Sequence, residues 1–103
     1  MLIRLIKSPS PAVLRIIAAR RPGQDRPSLD RAGAIALIQG QLADILLAAD
    51  LAEKAAAVEV DEVRGSCPQH MTMIAVWGDT AAVQEAVEAV KTAWPGRESD
   101  AAR

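Results

Sequence analysis

The sequence predicts an α+β fold, a mostly antiparallel sheet with helices packed on one side of it, related to ferredoxin-like domains. Three observations carry this. The hydrophobic pattern runs strand, helix, strand, helix, strand, strand, helix. At 103 residues the chain has room for one domain. Half of it is hydrophobic, yet only two residues, both Trp, are aromatic. The core must therefore be Ala, Val, Leu and Ile, which suits thin, closely packed layers.

The elements follow in order. Leu2 to Lys7 reads as a short strand stopped by Ser8-Pro9. Ser10 is a helix N-cap and Pro11 a first-turn proline. The helix Ala12 to Arg21 then places Val13, Leu14, Ile16 and Ile17 along one side and ends at Arg21-Pro22-Gly23. A proline-containing surface loop continues to Arg31. Ala32 to Ile38 is apolar on both faces, as expected of a central strand. Gly40 to Ala57 is the strongest helix, with Leu42, Ile45, Leu46 and Ala49 as its expected core face. Val58 to Val63 alternates as a half-buried strand, and Met71 to Trp77 follows it across a loop. Gly78-Asp79 caps the last helix, whose stripe is Val83, Val87, Val90 and Trp94, and Pro95-Gly96 stops it. One domain is expected over residues 1–94, with a polar tail over 95–103.

Composition narrows the function. Net charge is −1, but the chain up to Arg31 is basic and the remainder acidic. The early arginines are scattered through apolar elements without an aromatic platform, so a solvated or subunit-facing edge is expected and no nucleic acid. No segment has the length to span a bilayer, and Met1 to Ile6 is too short for a signal peptide's apolar region. The single cysteine, Cys67, cannot form an internal disulfide, which points to a reducing cytoplasm. No paired carboxylates or phosphate-cradling glycine loop indicate an enzyme.

The loop Arg64-Gly65-Ser66-Cys67-Pro68-Gln69-His70 carries the chemistry. Taken by residue type, Cys67 is either a small buried hydrophobe or a ligand whose thiolate nearby backbone amides favour. Cys67 and His70 at Cys-x-x-His spacing are two of the four ligands that zinc needs. A Cys–His nucleophilic dyad is a third possibility, without an orienting group in view. His70 without a metal is the plainest expectation.

Three stretches in register resemble the bacterial microcompartment shell domain, the BMC domain. They are Asp50-Leu-Ala-Glu-Lys54-Ala-Ala-Ala-Val58-Glu59-Val60, the turn Trp77-Gly78-Asp79-Thr80-Ala-Ala-Val83, and Ala32-Gly33-Ala34-Ile35, which is similar to that family's opening strand. Here that strand is preceded by Leu2 to Arg21, as in circularly permuted shell subunits. Strand residues begin at Leu2, so the longer leading segment that builds a barrel over the pore in permuted relatives is not expected. The resemblance implies a structural shell subunit in the cytoplasm, a homohexamer with a central pore lined by the Arg64 to His70 loop, beside other shell proteins. Lys54 takes the place of the family's edge lysine, which meets its counterpart between hexamers; its alternative is an ordinary solvated charge.

The Gly-Ser-Cys-Pro-Gln-His loop is similar to that of shell subunits from glycyl-radical propanediol compartments. That similarity implies a pore iron–sulfur cluster, of 4Fe–4S type, with Cys67 as its metal ligand and encapsulated redox enzymes as partners. A cubane has threefold axes but no sixfold one, so three alternate Cys67 thiolates of a hexamer fit it. The fold alone leaves a different class open, a small cytosolic ligand-binding or regulatory protein with a structural cysteine.

Overall fold

The computed structural model describes residues 1–22, 28–29, 32–65 and 71–94. Its elements are β1 Leu2–Lys7, α1 Pro11–Ala19, β2 Ala34–Gln41, α2 Leu42–Ala55, β3 Glu59–Val63, β4 Met71–Gly78 and α3 Thr80–Ala93. Each lies within a few residues of its expected place. The expected tail over 95–103 lies outside the described residues.

Ser10 caps α1 as its residue type predicts: the Val13 N–H donates to Ser10 Oγ at 3.4 Å, and Pro11 opens the helix. Asp79 occupies the N-cap position of α3, but its side chain makes no capping bond. The Val83 N–H instead donates to the Asp79 carbonyl at 2.9 Å, an ordinary first helical bond.

The strands form one antiparallel sheet in the order β1-β2-β4-β3. Registers line residues up in rows across it. Leu2, Gln39, Met73 and Val63 share one row, and Ile6, Ile35, Trp77 and Glu59 another. Because side chains alternate, β2 sends Ala34, Ala36 and Ile38 to one face and Ile35 and Leu37 to the other.

Both faces are covered, which corrects the expectation of helices on one side. On the first face, Ile45, Ala48 and Ala52 of α2 and Val83, Ala86, Val87 and Val90 of α3 pack on Ala34, Ala36, Ile38, Ile74 and Val76. On the second, α1 packs through Ile17, with Leu29, on Ile35, Ala75, Trp77 and Val63. A central strand that is apolar on both faces already requires a second cover, and α1 supplies it.

The α3 stripe of Val83, Val87, Val90 and Trp94 is buried as expected. The α2 face is not. Its core side is Ile45, Ala48 and Ala52, while Leu42, Leu46 and Leu47 are 54%, 62% and 50% exposed. Alanine lets α2 and α3 approach closely, so the small residues rather than the leucines face the core.

At the end of the sheet where β2 begins, Gly33 joins four elements. Its carbonyl accepts from the Ser8 N–H (2.8 Å) and from Thr80 Oγ1 (3.2 Å), and its own N–H donates to the Gly78 carbonyl (2.9 Å). A Cβ there would lie 3.1 Å from both the amide nitrogen and Oγ1 of Thr80.

Candidate functional site

The sheet positions the chemical loop. β3 and β4 form a hairpin whose last described pair is Val63 with Met73, and residues 64–70 connect the two strands. Arg64 and Gly65 are exposed at its root. Ser66, Cys67, Pro68, Gln69 and His70, the other expected loop residues, lie outside the described residues.

The root is held from a distance in sequence. The Arg64 N–H donates to the Arg20 carbonyl at 2.8 Å, and Arg20 Nη1 donates back to the Arg64 carbonyl at 3.2 Å. Arg20 is the C-cap of α1, so this helix ends against the start of the loop. One residue further, Arg21 Nη1 lies 3.7 Å from Asp61 Oδ2, with the two side chains 9% and 8% exposed. The Arg21 guanidinium also sits 5.3 Å from the centre of the Trp77 ring, and Trp77 Nε1 donates to the Ser28 carbonyl at 3.3 Å. A shielded ion pair stacked on an indole is a stiffer joint than an exposed one. Neither Arg20 nor Arg21 is marked for this task by its neighbours in the sequence, because a pairing across 40 positions or more leaves no local signal.

Lys54 stands in the last turn of α2, where a cation complements the helix dipole. Its Nζ is 2.8 Å from Asp50 Oδ2, one turn earlier, and the side chains are 74% and 51% exposed. The hydrogen bond to Asp50, then its negative charge, raises the Lys54 pKa above the ordinary lysine value. The lysine is therefore solvated and open to a neighbour; its acid partner is Asp50 rather than the adjacent Glu53.

The root of the loop at Arg64 and Lys54 belong to opposite ends of the domain. The pairing of Gln41 with Met71 sets the N-terminus of α2 beside the β4 end of the loop. The helix then runs away from it, and Lys54 stands twelve residues along, about 18 Å on at 1.5 Å per residue.

Among the described residues, no group of three or more His, Cys, Asp or Glu is placed to hold a metal ion. No helix among them is long and apolar enough to cross a membrane. A shallow groove between β1 and α3, lined by Ile3, Leu5, Gln84, Val87, Glu88 and Lys91, has no catalytic constellation.

The comparisons with known proteins bear on this arrangement directly. The BMC domain model matches residues 33–100, opening just before β2 and leaving β1 and α1 ahead of it. The GrpU microcompartment shell protein of a Clostridiales bacterium, solved without ligand, is 36% identical. The match covers 88% of each chain with a TM-score of 0.66. The ligand-free GrpU shell protein of Pectobacterium wasabiae is 34% identical over 87% of this chain and 99% of that one, with a TM-score of 0.69. A fused permuted hexameric shell protein of the RMM microcompartment shares the fold. It is 22% identical, with a TM-score of 0.69, over 90% of this chain and 45% of that one. No curated protein matches the sequence. With a strand and helix leading into the matched region and a permuted shell protein sharing its fold, the chain belongs to the BMC-domain family of microcompartment shell proteins, in circularly permuted form.

Proposed function

We propose that this shell protein is a homohexameric tile whose 64–70 loops surround a central pore, and that the pore binds a 4Fe–4S cluster through Cys67. The observation that carries the ring is the polarity of the domain. The loop is at one end of the sheet, braced at its root by Arg20, and the solvated Lys54 is at the other. A tile that closes around an axis and tiles at its rim needs those two functions at opposite ends.

The donor set bears on the cluster. The chain has one cysteine, and the described residues of a single copy gather no metal-binding group. One copy therefore does not fit a cluster, whereas alternate copies around an axis supply three thiolates in threefold arrangement. Such a group would carry single electrons across the shell or be the cargo itself. In this reading Arg64, Gly65, Ser66, Pro68, Gln69 and His70 border the pore and Cys67 ligates. Lys54 meets its counterpart in the next hexamer, and redox enzymes inside the compartment are the partners in exchange.

The test is purification without oxygen, followed by native mass spectrometry, iron and sulfide analysis and absorbance. A brown hexamer carrying at most one cluster is expected, bleached by air because one iron has no protein thiolate. Cys67→Ser abolishes the colour and keeps the hexamer. About one cluster per chain, or full retention in Cys67→Ser, overturns the shared-axis site. A colourless protein containing zinc would return the metal to a Cys67 and His70 pair.

A further inference from the structure

We infer that neighbouring copies in the ring meet head to tail along their sheet edges, the basic β1 edge of one against the acidic β3 edge of the next. This rests on the ring proposed above and names the surfaces that close it.

The strand order makes β1 and β3 the two edges of the sheet among the described residues. Strand edges present backbone groups and side chains to whatever lies alongside. The two edges differ in charge. β1 is Leu-Ile-Arg-Leu-Ile-Lys, with Arg4 and Lys7 exposed; β3 is Glu-Val-Asp-Glu-Val, with Glu59 and Glu62 exposed. None of these four takes part in an ion pair among the described residues. Asp61, the remaining acid of β3, is turned inward to Arg21.

The register shows that the charges interleave. All strands run between the loop end and the opposite end of the sheet, so an axis at the loop keeps each row at about one radius. Counting rows by the β1 residue, Glu62 stands in the row of Ile3 and Glu59 in the row of Ile6. Arg4 therefore lies between the two acids in radius, and Lys7 lies just outside the outer one. Because side chains alternate, Arg4 and Glu59 project to the α1 face of the sheet and Lys7 and Glu62 to the other. Each side of the contact thus carries one base and one acid of the next copy, two rows apart for Arg4 and Glu59 and four for Lys7 and Glu62. Between them the apolar Leu5 shares a row with Val60. Leu5 is 38% exposed and borders the groove beside α3, while Val60 is half-buried on the same face of the sheet.

Two different surfaces on opposite flanks make a heterologous contact, which closes into a ring; an isologous contact of β1 with β1 would stop at a dimer and oppose like charges. A second copy of this chain is thus the occupant that the charges select.

The experiment uses two charge-reversed variants of the full chain, Arg4→Glu with Lys7→Glu, and Glu59→Lys with Glu62→Lys. Each opposes like charges at every contact and should weaken it by about 100-fold or more, so the hexamer is lost at micromolar concentration in native mass spectrometry. Circular dichroism should show both variants folded, since all four side chains are exposed. Mixed one to one, the variants are complementary in both directions around a ring of even number, and hexamers with three copies of each should reappear. Persistence of the hexamer in either variant alone, or a mixture of folded variants that stays dissociated, overturns the edge assignment. A wild type that is not hexameric under the same conditions overturns the ring itself and, with it, this inference.

Discussion

Replacing Ile17 by alanine separates the stability of the domain from the order of its loop. Ile17 is 5% exposed and is the one buried residue of the nine-residue α1, so it pins that helix to the second face of the sheet. The substitution removes three carbons, about 2.4 kcal/mol at about 0.8 kcal/mol per buried methylene. A residual cavity brings the loss to about 3 kcal/mol, within the roughly 2–5 kcal/mol seen for such truncations. Against a total of about 5–15 kcal/mol, this should lower the melting temperature by about 12–24 °C at fixed protomer concentration. The same loosening frees Arg20, whose carbonyl holds the Arg64 N–H at 2.8 Å. Amide exchange at Arg64 should accelerate by about 100-fold, since each 1.4 kcal/mol or so is tenfold. Ile45→Ala, a fully buried isoleucine of the other face, is the control. It should cost similar stability without singling out Arg64. A loss below about 1 kcal/mol for Ile17→Ala, or unchanged exchange at Arg64 while α1 amides accelerate, would refute the brace.

Three further outcomes are expected. Lys54→Ala should leave the chain folded and hexameric but impair extended sheets under the electron microscope; unchanged tiling returns Lys54 to a plain surface charge. In the wild type, Lys54 should titrate above the ordinary lysine value by NMR, and Asp50→Asn should bring it down. Because the folded pKa is raised, what the pair contributes is fully present below the ordinary value of 10.5 and disappears as pH rises through the folded one, so neutral pH leaves it intact. Gly33→Ala puts a methyl 3.1 Å from the Thr80 backbone and should destabilise by about 1–3 kcal/mol in urea unfolding, with a neutral result showing that the α3 entry shifts freely.

Much of this fold is legible in the sequence because periodicity reports burial directly. The Val83, Val87, Val90 and Trp94 stripe and the Ser10-Pro11 helix start read true. The strand read from Val58 to Val63 is present as Glu59–Val63 but departs from alternation at Asp61, which is turned inward to Arg21. Periodicity misleads on α2, which is apolar around most of its circumference. Its leucines are the larger residues, but Ala48 and Ala52 face α3 and the sheet, where close approach matters more than bulk. The side of the sheet taken by α1 is carried by no local pattern; only the two-faced apolarity of β2 hints at it. Family membership follows from motifs in register, while the cysteine's surroundings in a single copy do not state its task. The brace of Arg20 on Arg64 spans 44 positions and emerges only from the tertiary fold.

The sheet order also constrains how the chain assembles during synthesis. β4, made last among the strands, occupies an interior place between β2 and β3. β1 and β2 can pair as soon as residue 41 has emerged, but β3 then has no strand beside it. Among the described residues its neighbour in the sheet is β4, across a short connection, so this hairpin closes locally and docks against β2 as a unit. The connection that borders the proposed pore is therefore the turn of the hairpin whose closure completes the sheet. Substitutions there would be read out in refolding rate as well as in pore chemistry, and a slow-folding pore variant would betray a damaged turn before any ligand was tested.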